Sequence, residues 1–276
     1  MSGDDRPLTY AAAFAWTLAA TALLVLGVQA TVLARPSIAS DIVTLAGCEA
    51  VVYLLGTFGV LRLHAENRIA RNALGMRPSH AAMPVFGLAL GLSVQLPAAS
   101  LQQLIHELSP PSEEELARQA ALLAADTPVR MVMLILAAAC VAPLVEELFF
   151  RGALFGGLRR SGSAIGAALV SAACFVISHP DIRAWLPLLL VALILSHLRV
   201  ASGSLLPCVA LHVSFNGASI AAHLTGVSSV TSPAGFGWPV TLAGWAGTAL
   251  LVLLVQYVAR QSPEAERARA EDADEL

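Results

Sequence analysis

Residues 128–152 read PVRMVMLILAAACVAPLVEELFFRG. From Met131 to Val145 the segment carries no charge, and the stretch 128–150 is long enough to cross a hydrocarbon core of roughly 30 Å as a helix. Yet it runs into Glu146, Glu147 and Arg151. On insertion scales each charge near the centre of a membrane helix costs about 2.5–3.5 kcal/mol, so such residues are functional candidates by default. Glu147 and Arg151 are four apart, on one helix face, and can pair. Glu146 is turned about 100° from Glu147 and points into a different space. Pro143 has no N–H for the Ala139 carbonyl and should bend the helix just before the acids. A structural ion pair would explain Glu147 and Arg151 but leaves Glu146 unaccounted for.

The rest of the composition agrees with a membrane reading. Of 276 residues, 57% are hydrophobic and 13% charged, with mean hydropathy +0.73. Soluble chains carry roughly 25% charge, so too little polar material is present to coat a globular domain. The net charge of −3 and pI near 6.1 argue against a nucleic-acid partner. The pattern predicts an all-α polytopic helical bundle with about eight spans: 10–34, 41–61, 81–104, 128–150, 164–180, 184–200, 204–224 and 238–259. Gly3-Asp4-Asp5-Arg6 before the first span is not the basic start of a signal peptide, so that helix is expected to be retained. If the spans alternate, the 16 cationic residues, all arginine, divide 12 to 4 between the two sides. The richer side holds Arg6, Arg77, Arg159, Arg199 and Arg260 with their neighbours. The positive-inside rule then puts both termini in the cytoplasm. An arginine-only chain suits a GC-rich genome and a bacterial inner membrane.

Between the third and fourth spans, Ser112 and Glu115 form a capping-box pattern, followed by an apolar stripe at Leu116, Ala120 and Leu123. An amphipathic helix on the outer membrane surface is expected there. Glu113, Glu114 and Glu115 read as its solvated first turn, favoured by the helix dipole, rather than as a metal cluster. The acidic tail from Gln261 reads as disordered. Cys48, Cys140, Cys174 and Cys208 lie in separate apolar stretches and are expected to be free, buried residues.

Other polar residues fall inside spans. Phe175-Val176-Ile177-Ser178-His179 sets an aromatic and an imidazole on one face. His212-Val213-Ser214-Phe215-Asn216 sets an imidazole and an amide likewise. Glu49, alone in the second span, could line the same cavity or be a hydrogen-bonded packing residue. A lone membrane histidine ordinarily bonds a neighbouring helix. One carboxylate with two imidazoles and an amide, on three helices, is a set that chemistry uses. It suits a His₂Glu metal site or a general base with polarising donors. His-Glu-x-x-His is absent.

In this order, Glu-Glu-x-x-x-Arg at 146–151, Phe-x-x-x-His at 175–179 and His-x-x-x-Asn at 212–216 resemble the motifs of the CAAX-protease and bacteriocin-processing (CPBP, or Abi) family of intramembrane proteases, related to type II CAAX prenyl endopeptidases. The resemblance implies an intramembrane endopeptidase acting on a membrane-embedded or lipidated protein or peptide. It implies that Glu146 activates a water, with His179 helping to hold or deprotonate it. Glu147 and Arg151 would fix the helix, and His212 and Asn216 would stabilise the oxyanion or hold the water. With zinc, the ligands would be Glu146, His179 and His212; a metal-independent mechanism fits equally. The alternatives are a non-proteolytic scaffold or bacteriocin self-immunity protein, and an ion-coupled transporter using the same acids. The chain accordingly divides into membrane helices at 1–105, an extracytoplasmic loop at 106–127, a CPBP-like catalytic core at 128–225, a last span at 226–260 and the tail at 261–276.

Overall fold

A computed structural model describes residues 7–36, 41–65, 69–227 and 237–261; the acidic tail lies outside the described residues. Those residues are helical, with no strand among them. The principal elements are α1 (Tyr10–Ala34), α2 (Ile42–His64), α3 (Ala82–Leu108, interrupted at Val94), α4 (Glu113–Leu122), α5 (Pro128–Ser161), α6 (Ala164–Ile177), α7 (Trp185–Ser202), α8 (Leu206–Leu224) and α9 (Trp238–Arg260). Polar caps start several of them: Thr9 accepts from Ala12 N–H, Asp41 from Thr44, Thr127 from Arg130 and Ser163 from Gly166.

Each predicted span finds a helix. Six, α1, α2, α3, α5, α7 with its preceding turn, and α9, are long and apolar enough to cross a membrane. Helix α6 has only 14 residues and α8 carries several polar side chains. Many large apolar side chains on the long helices face outward, among them Leu26, Leu55, Phe58, Val85 and Leu253. In water that surface would be a liability, and in a bilayer it is the solvated face. The molecule is an all-α polytopic membrane bundle.

Helix α4 matches its expected capping box in both directions, Glu115 N–H to Ser112 Oγ at 3.2 Å and Ser112 N–H to Glu115 carboxylate at 2.8 Å. Of the four cysteines, all free, Cys174 and Cys208 are buried, Cys48 is half-buried and Cys140 is exposed. Burial therefore holds for two of them; Cys140 turns to the outer face.

Two apolar clusters make up most of the core. One gathers Tyr53, Phe149, Phe150, Leu154 and Phe175 from α2, α5 and α6. The other gathers Met83, Leu90, Leu195, Cys208 and Leu211 from α3, α7 and α8. Helices α3 and α8 approach so closely that a Cβ on Gly87 would lie 2.3 Å from the Pro207 carbonyl, and one on Gly91 2.4 Å from that of Leu211. This contact presses α8 against the rest of the bundle and aims His212 into the seam between the clusters.

Candidate active site

Helix α5 is not α-helical throughout. The six-residue α segment Ala142–Glu147 stands between two π segments, Ile135–Val141 and Leu148–Leu154. In the first of these the Ala142 N–H bonds the Ala137 carbonyl, five residues back. The next donor in that register would be Pro143, which has none, so the Ala138 carbonyl is left over. Asn216 on α8 supplies the missing donor, Nδ2 to Ala138 oxygen at 2.9 Å. The regular α register expected from the sequence would free the Ala139 carbonyl; the π register moves the loss to Ala138. The amide expected to serve an oxyanion is bound to the carbonyl that the proline frees.

Glu147 and Arg151 pair as expected, Nη1 to Oε1 at 3.0 Å, both side chains fully buried. Arg151 Nη2 also donates to the Ala192 carbonyl at 3.3 Å, and its guanidinium lies 4.5 Å from the centre of the Phe175 ring. Glu147 Oε1 takes a second partner, His212 Nδ1, at 2.9 Å. Glu146 faces elsewhere, with Oε2 3.4 Å from His212 Nε2 and Oε1 3.9 Å from His179 Nε2. His179 Nδ1 lies 2.8 Å from the Phe175 carbonyl. Phe175 is the hub of the site, its ring 4.8 Å from that of His179, 5.7 Å from His212 and 5.3 Å from Phe150.

These contacts assign the tautomers. His212 Nδ1 faces a carboxylate, and His179 Nδ1 faces the Phe175 carbonyl and, at 3.4 Å, the Ser178 hydroxyl, whose hydrogen goes to that same carbonyl at 2.8 Å, so each Nδ1 carries the hydrogen. In neutral rings both Nε2 atoms then present lone pairs toward Glu146. Three bases converge on one small volume, an arrangement that suits a protic guest held between them. The side chain of His179 is 28% exposed, against 9% for Glu146 and 5% for His212, so the volume is reached past His179.

The donors have the chemistry of a zinc site, two imidazole Nε2 atoms and a carboxylate with oriented Nδ1–H groups behind them. Among the described residues no group of three or more His, Cys, Asp or Glu is drawn close enough to hold a metal ion.

Residue counting from the helix ends spreads Glu146, His179 and His212 over about 10 Å of depth. The structure removes the spread by stagger. The Leu205 N–H donates to the Gly75 carbonyl, and Arg199 Nε donates to the Arg151 carbonyl at 3.0 Å. These bonds set the start of α8 near the level of Arg151 rather than at the end of α5. Arg151 is five residues from Glu146, and Leu206 is six from His212. Arg199, which the sequence places at a span end, is only 5% exposed.

Glu49 comes to the site, its carboxyl near enough to that of Glu146 for the two to interact. Tyr53, one turn on, stacks on Phe149 at 5.2 Å and on the edge of Phe150 at 5.4 Å. Its spacing of four from Glu49 is the signal that could have found it. His223 docks the loop after α4, through Nε2 3.2 Å from the Leu123 carbonyl.

Residues 128–218, about a third of the chain, match the family described as type II CAAX prenyl endopeptidase Rce1-like. The match covers α5, α6, α7 and most of α8, and with them Glu146, Glu147, Arg151, His179, His212 and Asn216; Glu49 and Tyr53 lie outside it. No curated protein and no solved structure matches the chain. At family level this supports a CAAX-type protease domain in an integral multi-pass membrane protein.

Proposed function

We propose that the protein is an intramembrane endopeptidase that hydrolyses a peptide bond in a membrane-embedded or lipidated substrate, through a water held by Glu146, His179 and His212. The observation that carries this is the convergence of the Glu146 carboxyl and two Nε2 lone pairs while both Nδ1 atoms are engaged elsewhere. Water donates to this set and keeps a lone pair for attack. As its oxygen bonds the scissile carbonyl carbon, a proton passes to Glu146. When the C–N bond breaks, the same proton returns to the leaving nitrogen. Glu147, held by Arg151, keeps His212 in the tautomer that leaves Nε2 free. Asn216 acts as a positioning residue, holding the π segment that presents Glu146.

We take the water as metal-free; zinc, if held by Glu146, His179 and His212, would lower the pKa of the water they share.

The test uses purified protein in nanodiscs with a panel of membrane-anchored and prenylated peptides, products being read by mass spectrometry. Cleavage is expected to fall at least ~100-fold in Glu146→Gln and His179→Ala, the range for loss of a general base. It is expected to survive dialysis against a chelator. Full cleavage by Glu146→Gln would remove Glu146 from the catalytic role, absence of cleavage by the wild type across the panel would favour a scaffold, and loss on chelation restored by zinc would overturn the metal-free water.

A further inference from the structure

At the end of the bundle where α5 and α7 finish, away from Glu146, lies a cavity of about 340 Å³. Four arginines line it, Arg77, Arg159, Arg160 and Arg199, with Asn72 beside them and no acidic residue in the lining among the described residues. They come from three separate stretches of chain: the loop before α3, the last turn of α5 and the last turn of α7. The positive-inside rule explains why such loops carry arginine, but it requires only that the residues lie near the membrane surface. It does not require them to meet.

The backbone around the cavity is shaped to hold the guanidinium groups. Gly75 has φ 72, and a Cβ there would come 2.0 Å from Arg199 Nη2, so only glycine lets the loop pass over that side chain. Arg199 also lies against the Phe155 ring, 4.9 Å from its centre. Arg77 Nε donates to the Gly203 carbonyl at 2.9 Å, and Ser204 Oγ returns a bond to the Arg77 carbonyl. Arg159 Nη1 donates to the Gly162 carbonyl at 3.3 Å. Arg77, Arg159 and Arg199 are thus each fixed by a backbone carbonyl and neutralised by no carboxylate among the described residues. Each keeps N–H groups beyond the one so used. Like charges gathered around one concavity repel unless an anion sits among them, and the guanidinium fork matches the oxygens of a phosphate group.

We propose that this cavity is a binding site for a phosphate group, presented either by the headgroup of an acidic lipid or as free phosphate. The site adjoins the catalytic helix, because Arg199 Nε holds the carbonyl of Arg151, whose side chain pairs with Glu147. The proposal is independent of the protease reading, since binding needs no turnover.

Thermal unfolding of the delipidated full chain in detergent is followed against sodium phosphate, with sodium chloride at matched ionic strength as control. In parallel, native mass spectrometry compares retention of phosphatidylglycerol and phosphatidylcholine from mixed nanodiscs. Wild type is expected to show a saturable, phosphate-specific rise in Tm, preferential retention of phosphatidylglycerol, or both. The Arg77→Gln/Arg159→Gln double variant should bind at least fivefold more weakly while keeping the wild-type Tm in chloride. Arg159→Gln alone, at an exposed rim position, gives the same comparison should the double variant fold poorly. Retention of phosphatidylglycerol without a response to free phosphate identifies the lipid as the source, and the converse identifies the free anion. A response no larger than that to chloride together with equal retention of both lipids overturns the proposal, as does a response unchanged in the variants.

Discussion

Asn216 shows how a side chain can be found correctly and its work misread. From the sequence, an amide one turn after an intramembrane histidine suggests a donor for an oxyanion. The structure gives it a different partner because of Pro143, 73 residues earlier, in a π register that no spacing rule reveals. A buried carbonyl left without a donor costs about 1–3 kcal/mol. Asn216→Ala should therefore lower unfolding stability by about that amount, and activity with it as the π segment relaxes. Pro143→Ala restores a backbone N–H for the Ala138 carbonyl. In a double-mutant cycle it should rescue most of the loss, giving a favourable coupling of at least about 1 kcal/mol. Independent, additive losses would show that the amide is not replacing the proline's missing donor. If turnover instead drops by about two orders of magnitude or more while stability stays intact, Asn216 returns to the oxyanion. Glu146, Glu147 and Arg151 were legible without this knowledge, because charge inside an apolar span is expensive wherever it sits. Arg199 was not, since an arginine at the end of a span ordinarily reaches water.

Helix α8 illustrates a second limit on what sequence patterning conveys. It packs tightly along α3 and carries His212 and Asn216, yet these same polar residues dilute the hydropathy by which a span is recognised. The amphipathic helix α4 was the easier reading, since its start is encoded locally by Ser112 and Glu115. What the sequence could not show is where that helix docks. Glu115 also contacts Arg183, in the turn between α6 and α7, within a few residues of His179. The Ser112 backbone N–H and the Arg183 guanidinium together hold the Glu115 carboxyl at a pKa of about 2, below its ordinary 4.5. A carboxylate lowered on folding contributes fully above its unfolded value and loses that contribution as pH falls toward the folded one. Docking of α4 should thus be intact above about pH 4.5 and weaken progressively between there and pH 2. Hydrogen exchange of residues 113–122 reads this directly. Glu115→Gln should raise their exchange rate several-fold at pH 7, to the level the wild type reaches only in acid. Equal protection in the two proteins at pH 7 would mean that α4 is held by its apolar stripe alone.

The helices also settle into an arrangement that bears on orientation. Arg77, Arg159 and Arg199 belong to three segments that alternation of the spans assigns to one side, and all three line one cavity. Arg183 and Glu115, assigned to the opposite side, touch each other. Segments expected to share a side are thus in contact, as alternation of the spans requires. The weakest member is α6. Its 14 residues rise only about 21 Å, short of a hydrocarbon core of roughly 30 Å. It nonetheless has to carry the chain from the arginine-rich end, at Ser161, to the end where Arg183 meets Glu115. Its C-terminal half packs inside the bundle, where Ser171 donates to the Phe150 carbonyl at 2.9 Å, while Ile165 and Leu169 near its start face outward. We expect α6 to cross nonetheless, and the positive-inside rule predicts that the arginine-rich end is cytoplasmic. Reporter fusions test both points. Alkaline phosphatase fused after Asp126 or Asp181 should be active, and after Ala65, Ser161 or Ser202 inactive, with a cytoplasmic fluorescent reporter giving the reverse. Inversion of the whole pattern would place the termini outside. The same result after Ser161 and Asp181 would mean that α6 does not cross, and that Glu146 and His179 meet in a re-entrant pocket instead of a transmembrane one.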